Sequence, residues 1–168
     1  MKQGHYSRHS SLGSTDVNLK RATGSDKEFI SHLSRNVFEI YGPYAKTVPQ
    51  WFESDMVLTI MAYVDKRPVG FGMLGNFSGR YDLKHGSEIL AIAVEPEMQG
   101  ARIGDILLKD MEREAAHLNI KRLFLHTAVE NLTARSLFNR NGFRTWEVKM
   151  KFYPAGQDAI VMAKEIPG

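Results

Sequence analysis

The chain has 168 residues, of which 43% are hydrophobic and 24% charged, with a net charge of +3 and no cysteine. This length is enough for one domain with its own hydrophobic core, and the composition is ordinary for a globular protein. The absence of cysteine excludes disulfides, a thiolate nucleophile and cysteine-ligated zinc, and no apolar run approaches the roughly 20 residues that cross a bilayer. We therefore expect a cytoplasmic protein.

The first part of the chain predicts a polar arm, a strand and two helices. Residues 1–17 are polar and rich in serine and glycine, which indicates a flexible arm ahead of a single domain at 18–168. Val17–Thr23 alternates in polarity and is typical of a strand. Apolar residues then recur at helical spacing until a Gly-Pro pair ends the first helix, and Tyr44–Glu53 predicts a shorter second helix.

The rest of the chain predicts six strands and two helices. The strands are expected at Val57–Val64, Val69–Leu74, Glu88–Glu95, Leu123–Ala128, Phe143–Tyr153 and Ala159–Lys164. The helices are expected at Gly104–Leu118, which carries an apolar stripe, and at Asn131–Asn141, which is closed by Gly142. The order β-α-α-β-β-β-α-β-α-β-β predicts an α/β (α+β) fold, in which a mixed sheet carries helices on its faces.

A glycine-bearing turn between the Glu88–Glu95 strand and the next helix is the most informative feature of the sequence. Gln99, Gly100 and Gly104 lie in this turn, and the first N–H groups of a helix have no partners within it. Together with the helix macrodipole, such groups bind phosphate or pyrophosphate. The spacing fits neither the P-loop nor the G-x-G-x-x-G fingerprint of dinucleotide-binding proteins, and an ordinary strand-to-helix connection is the alternative.

The same turn resembles the Q/R-x-x-G-x-G/A loop of the GNAT family of N-acetyltransferases, although Arg102 stands where the first glycine of G-x-G/A is usual. The order of elements is similar to that family. So are the hairpin at 65–71 and the stretch 131–143, which has the pattern N-x-x-A-x-x-L-Y/F-x-x-x-G-F. Residues 152–162 resemble the tail of the ribosomal-protein N-terminal acetyltransferase branch. The resemblance covers roughly residues 18–166 and implies a mostly antiparallel, seven-stranded sheet with about four helices.

The resemblance implies acetyl-CoA as cosubstrate. The residues that it places at this molecule are Ile92, Ala93, Val94, Gln99, Gly100, Ala101, Arg102, Ile103, Gly104, Asp105, Asn131 and Phe138. The turn would bind the pyrophosphate, and the backbone at 92–94 would pair with the pantetheine arm where two strands splay apart. Arg102 either adds positive charge or points into solvent, and Asn131 lies near pantetheine, caps its helix, or does both.

The resemblance also suggests three catalytic candidates. Glu88 matches the general-base glutamate of the protein-lysine acetyltransferase branch, and an exposed charge at a strand end is the alternative. His126 stands where the ribosomal branch carries a glutamate; imidazole suits proton transfer near neutral pH, but a strand histidine can equally be structural. Phe138 replaces the tyrosine that commonly protonates the departing thiolate, so Tyr153 is a substitute acid unless it only packs.

The leading interpretation is an acetyl-CoA-dependent N-acetyltransferase that acts directly on a primary amine: a protein N-terminus, a lysine or a small amine. The acceptor site would involve Phe38–Trp51, the loop at 76–86 and the turn between the last two strands, with Tyr41, Tyr44, Trp51, Phe52 and Tyr81 as candidate lining. A non-catalytic acyl-CoA-binding regulatory module is the alternative. The scattered histidines predict no metal site, the interleaved charges argue against nucleic acid, and the last two strands offer an interface for a homodimer.

Overall fold

The computed structural model describes residues 7–12, 15–54, 56–75 and 86–167. Its strands are β1 (Ser7–Leu12), β2 (Thr15–Arg21), β3 (Val57–Val64), β4 (Arg67–Gly75), β5 (Gly86–Val94), β6 (Arg122–Ala128), β7 (Arg144–Lys149) and β8 (Ala159–Glu165). Its α-helices are α1 (Lys27–Phe38), α2 (Tyr44–Phe52), α3 (Ile103–His117) and α4 (Leu132–Arg140), and short 3-10 turns lie at Gly24–Asp26, Glu39–Tyr41 and Pro96–Met98. The predicted loop at 76–86, with Tyr81, lies outside the described residues except for Gly86.

The eight strands form one sheet in the order β1-β2-β3-β4-β5-β6-β8-β7. Neighbouring strands are antiparallel except for β5 and β6, which are parallel and are joined through α3. The predicted fold class is therefore confirmed, with one strand more than the seven expected. Strand β7 ends at Lys149, earlier than predicted, because the chain turns at Lys151, whose φ is +48°.

The additional strand is β1, within the region that the sequence placed in a flexible arm at 1–17. Its residues pair with β2 from Ser7 opposite Lys20 to Leu12 opposite Thr15. The strand is polar, and Arg8 fastens it to helix α3 through ion pairs with Asp110 at 3.0 Å and Glu114 at 3.3 Å. Hydrophobic patterning could not reveal this strand because its residues are mostly polar and it is held by pairing with β2 and by the ion pairs of Arg8. The division into an arm and a domain at 18–168 stays a prediction.

Helices cover both faces of the sheet and bury a core on each. The larger core lies between the sheet and α3, with Leu107, Leu108 and Met111 fully buried on the apolar stripe of this helix. The second core lies on the opposite face, where Ile30 and Leu33 of α1 and Val48 of α2 pack against β3, β4 and β5. Burial of these side chains removes apolar area from water and is the main stabilising contribution.

Two irregularities in the centre of the sheet create the site. In the β4–β5 ladder, Met73 pairs with Ala91 but Leu74 pairs with Ile89, so that Leu90 is an extra residue in a β-bulge. The parallel β5–β6 ladder contains only four pairs and ends where Ile89 lies opposite Leu125. Beyond this point β6 continues along β8 while β5 continues along β4, which opens a gap between two neighbouring strands.

Candidate active site

A cavity of about 1190 Å³ occupies the gap between the diverging strands and extends to both faces of the sheet. On one side it is lined by the turn before α3 and by α4, and on the other side by the α1–α2 segment and the loop between β7 and β8. All predicted site residues except Ala101 line it. The predicted acceptor-side residues Tyr41, Tyr44 and Trp51 also line the cavity, whereas Phe52 does not.

The turn before α3 presents a row of backbone N–H groups to this cavity. The N–H of Gln99 bonds to the carbonyl of Pro96 and that of Ala101 to Met98. Among the described residues, the remaining N–H groups between these positions and the first helical turn have no backbone acceptor; they belong to Gly100, Arg102, Ile103, Gly104 and Asp105. This arrangement suits an anion such as pyrophosphate. Ala101 does not line the cavity and packs instead against the core under α3.

Arg102 adopts the left-handed conformation that glycine usually provides in such a turn. Its φ is 61° and its ψ is 22°, and Gly100 also has a positive φ of 89°. The loop geometry is thus kept at a cost of about 1–2 kcal/mol in backbone strain at Arg102. The side chain is 60% exposed, and its Nε lies 3.7 Å from Asp105 Oδ2, so the cation stands at the rim of the N–H row.

Asp105 connects the start of α3 to the end of α4. Its buried carboxylate accepts hydrogen bonds from Arg140 Nε at 2.9 Å and Nη2 at 2.7 Å, and from Asn141 Nδ2 at 2.7 Å. The hydrogen bonds from Arg140 lower the pKa of this carboxyl group below its ordinary value, against the opposing effect of burial. The carboxylate is therefore neutralised locally, and only the backbone N–H of Asp105 is left to face an anion.

Glu88 and His126 form a hydrogen-bonded pair at the point where the strands diverge. His126 Nδ1 lies 2.7 Å from Glu88 Oε1, and the side chains are only 10% and 19% exposed respectively. The imidazole ring stacks on Phe152 with ring centroids 4.4 Å apart, and its Nε2 lies 3.4 Å from Lys149 Nζ. A carboxylate that holds one ring nitrogen fixes the orientation of the imidazole ring. The two predicted base candidates are thus one unit.

Tyr153 lies in an aromatic cluster on the acceptor side of the cavity. Its ring centroid is 5.0 Å from that of Tyr41 and 6.3 Å from that of Tyr44. Burial raises the pKa of the Tyr153 hydroxyl, and the nearby Tyr44, Tyr41 and Glu88 raise it further. Tyr153 is therefore protonated throughout the neutral range and can act as a hydrogen-bond donor.

The other predicted cosubstrate residues are held mainly by local structure. Asn131 caps α4, because its Oδ1 accepts the N–H of Ala134 at 3.1 Å. Phe138 is buried against Phe143 with ring centroids 5.9 Å apart. Gln99 Nε2 donates to the carbonyl of Val94 at 3.3 Å and so ties the turn to the end of β5. Asn131 and Phe138 line the cavity from α4 and its N-cap, and Gln99 lines it from the turn.

The strand segment Ile92, Ala93 and Val94 has one edge paired with β4 and one edge that faces the gap. Ala93 is buried among the residues under α1, and Ile92 and Val94 pack toward α3. Because the β5–β6 ladder stops at Ile89, the gap-facing backbone of this segment has no strand partner in the described part of the chain. It can therefore hydrogen-bond an extended amide-containing ligand in the manner of a strand.

Sequence reasoning missed several residues that the fold brings to the site. Lys149 and Phe152 reach His126 from β7 and the following loop, and Arg140 neutralises Asp105. No local sequence pattern links Lys149 or Phe152 to His126. Across the ranges that the structure covers, no helix is long and apolar enough to span a membrane, and no group of three or more histidine or acidic side chains could hold a metal ion.

Comparison with known proteins agrees with this geometry. A model of the acetyltransferase (GNAT) family matches residues 27–143. An uncharacterized N-acetyltransferase from Methanocaldococcus jannaschii is 28% identical over 150 residues, which cover 89% of this chain and 92% of that protein. An N-alpha-acetyltransferase from Saccharolobus solfataricus is 25% identical over 158 residues, 90% of this chain and 94% of that protein. The ribosomal-protein-S18-alanine N-acetyltransferase from Escherichia coli shares the fold, with a TM-score of 0.77 at 20% identity over 90% of this chain and 95% of that chain.

Proposed function

Because this chain belongs to the acetyltransferase (GNAT) family and is an acyltransferase, we propose that it transfers an acetyl group from acetyl-CoA directly to a primary amine, with a polypeptide N-terminus as acceptor. The observation that carries the proposal is the Glu88–His126 pair, which lies at the opening between the strands and shares one cavity with the N–H row of the α3 turn. The similarity to an N-alpha-acetyltransferase supports the choice of acceptor.

The donor is held by backbone groups. The N–H groups of Gly100 and of Arg102 to Asp105 take the pyrophosphate, and the exposed Arg102 side chain adds positive charge at the rim. The gap-facing backbone of 92–94 aligns the pantetheine arm and offers an N–H to the thioester carbonyl oxygen, on which negative charge develops. Because this backbone belongs to the central sheet, little reorganisation is needed during the reaction.

The Glu88–His126 pair removes a proton from the acceptor. An amine with a pKa near 10 is almost wholly protonated at neutral pH and cannot attack until it loses that proton. Nε2 of His126 is the ring nitrogen that does not face Glu88, so it is the atom that accepts the proton. The carboxylate of Glu88 then stabilises the positive charge on the imidazole and keeps its orientation.

Tyr153 is the acid candidate, because Phe138 has no proton to donate. Its hydroxyl stays protonated under working conditions, since burial raises its pKa. It lines the same cavity as Glu88 and the splayed segment of β5. We expect Tyr153→Phe to lower kcat by about 10-fold or more while the KM for acetyl-CoA stays the same, because general acid catalysis contributes to the chemical step alone.

The direct test is thiol release from acetyl-CoA with a panel of acceptors, together with calorimetric binding of acetyl-CoA. The panel contains peptides with a free N-terminus, the same peptides with a blocked N-terminus and one internal lysine, and a polyamine. Glu88→Gln and His126→Gln are compared with Glu165→Gln and His117→Gln, two exposed residues outside the cavity.

We expect turnover of the free-N-terminus peptides that falls only in the first two variants. Turnover confined to lysine or polyamine would correct the acceptor class. Tight binding of acetyl-CoA without turnover of any amine would favour the non-catalytic module, and no binding would contradict the assignment of the turn.

A further inference from the structure

We propose that Lys149 is an internal acceptor, so that the enzyme acetylates its own Lys149 side chain with acetyl-CoA. This inference rests on the proposed function, because it uses the same donor and the same base. It adds a modification site on strand β7. The observation behind it is that an amine of the protein already lies beside the ring nitrogen of His126 that does not face Glu88.

Lys149 Nζ lies beside His126 in a position close to that expected of an acceptor amine. Nδ1 of this ring faces Glu88 at 2.7 Å, so Nε2 is the nitrogen that accepts a proton. Lys149 Nζ lies 3.4 Å from Nε2, close to the roughly 2.6–3.2 Å that a general base requires from the group it deprotonates. The candidate base therefore already contacts an amine of the protein.

The sheet register places Lys149 on the same face as His126. On strand β8, Val161 pairs with His126 on one side, and Ala159 pairs with Lys149 on the other. The small side chain of Ala159 leaves room for the lysine stem to lie across the sheet. The side chain is 24% exposed, and Nζ lies 5.7 Å from the centroid of the Phe152 ring and 3.5 Å from Glu147. The Lys149 side chain is therefore only partly buried, with its amine between His126, Phe152 and Glu147.

The proposed step is balanced with acetyl-CoA as the only co-reactant. The Lys149 ammonium gives one proton to His126 Nε2, and the resulting lone pair forms a bond to the thioester carbon. The carbon–sulfur bond breaks, and coenzyme A leaves as a thiolate that takes up a proton. The nitrogen loses its second proton to solvent, which leaves a neutral N-acetyl-lysine. The modified side chain no longer places a positive charge beside His126.

Lys164 is a matched control within the same chain. Its side chain is also 24% exposed, its Nζ pairs with Glu112 at 2.8 Å, and it lies 5.9 Å from the centroid of the Phe143 ring. It therefore shares the exposure, the carboxylate partner and the aromatic neighbour of Lys149. It differs in that it faces helix α3 and does not contact the Glu88–His126 pair. Chemical acetylation without catalysis would affect the two lysines alike.

The experiment incubates the full-length chain with acetyl-CoA in the absence of any acceptor and follows acetylation by peptide mass mapping. We expect Lys149 to be modified at least about 10-fold faster than Lys164, with a first-order rate that does not change when the protein is diluted. His126→Gln should slow the modification of Lys149 by about 100-fold or more, as loss of a general base does. Glu88→Gln, which keeps nearly the same shape, serves as a second variant in case His126→Gln fails to fold.

Each result is decisive when peptide turnover is measured on the same preparation. Peptide turnover with unmodified Lys149 would overturn the inference and leave the proposed function intact. Modification of Lys149 without peptide turnover would support the inference and contradict the peptide acceptor. Equal modification of Lys149 and Lys164 that persists in both variants, or a rate that scales with protein concentration, would overturn the internal reaction. Modification of no amine at all would overturn both proposals.

Discussion

His126 contacts Glu88 because of the register of one short parallel ladder. Glu88 on β5 lies opposite Phe124 on β6. His126 is two residues after Phe124 on β6, so the side chains of Glu88 and His126 share one face of the sheet. The ladder ends immediately afterwards, where Ile89 faces Leu125. The pair is thus fixed by the last paired residues of a rigid sheet and faces the gap that begins there.

This relationship predicts that the two side chains act as one unit. We expect Glu88→Gln and His126→Gln each to lower kcat/KM for a peptide amine by about 100-fold or more. The double variant should be little worse than the more severe single variant, because residues of one catalytic unit are strongly non-additive. Steady-state kinetics of the four proteins measures this coupling. If the loss of kcat/KM in the double variant equals the product of the two single-variant losses, the two residues act independently.

Backbone strain at Arg102 predicts a gain in stability when glycine replaces it. Arg102→Gly should relieve about 1 kcal/mol of left-handed strain and raise Tm by about 2–4 °C. The same change removes a cation beside the N–H row, so the KM for acetyl-CoA should rise about two- to five-fold. Calorimetry and steady-state kinetics measure the two effects separately.

Arg102→Ala is the control for this substitution, since it removes the charge but keeps a side chain at a φ of 61°. It should raise the KM for acetyl-CoA to the same extent without raising Tm. Equal stability of the glycine and alanine variants would show that the left-handed backbone at this position carries no strain.

The sequence predicted those parts of the molecule whose structure is determined locally. The glycine spacing and the following apolar stripe predicted the turn and α3, and Asn131 and Gly142 marked the two ends of α4. The resemblance to the GNAT family, which these segments carried, is confirmed by the family match over residues 27–143.

The parts that sequence reasoning missed depend on contacts between distant residues. Glu88 and His126 are 38 positions apart, and no pattern in either strand reveals the register that joins them. Strand β1 was missed because it is polar and because Arg8, besides the pairing with β2, attaches it to Asp110 and Glu114 more than 100 positions away. The contact of Lys149 with His126 depends on the insertion of β8 between β6 and β7, which the order of elements along the chain does not specify.

The low pKa of Asp105 predicts a pH-dependent contribution to stability. Because Arg140 lowers this pKa in the folded state, the contribution is complete above the ordinary carboxyl value of 3.8 and is lost as the pH falls through the folded-state pKa. Asp105→Asn should lower the free energy of unfolding by about 2 kcal/mol at pH 7, as expected for hydrogen bonds to a charged group.

Urea unfolding at several pH values tests the prediction for Asp105. The difference in unfolding free energy between wild type and Asp105→Asn should shrink below about pH 4, where the carboxyl group becomes protonated in the unfolded state. The exposed Asp16→Asn variant is the control and should match wild type near neutral pH. A difference that is the same at pH 3 and pH 7 would show that the ion pair with Arg140 does not stabilise the fold.

The attachment of β1 predicts that Arg8 matters more for stability than an exposed arginine does. Its partner Asp110 is 1% exposed and also bonds Arg113, so Arg8→Ala removes a cation from a buried carboxylate that keeps Arg113. We expect a loss of about 1–2 kcal/mol in unfolding free energy, less than for a buried charge left without any partner, and faster hydrogen exchange along β1.

Arg67→Ala is the control, because Arg67 and its partner Glu97 are 63% and 66% exposed and 3.6 Å apart. That change should cost no more than about 0.5 kcal/mol. Equal losses in the two variants, or unchanged exchange in β1, would contradict the role of Arg8 in holding this strand against α3.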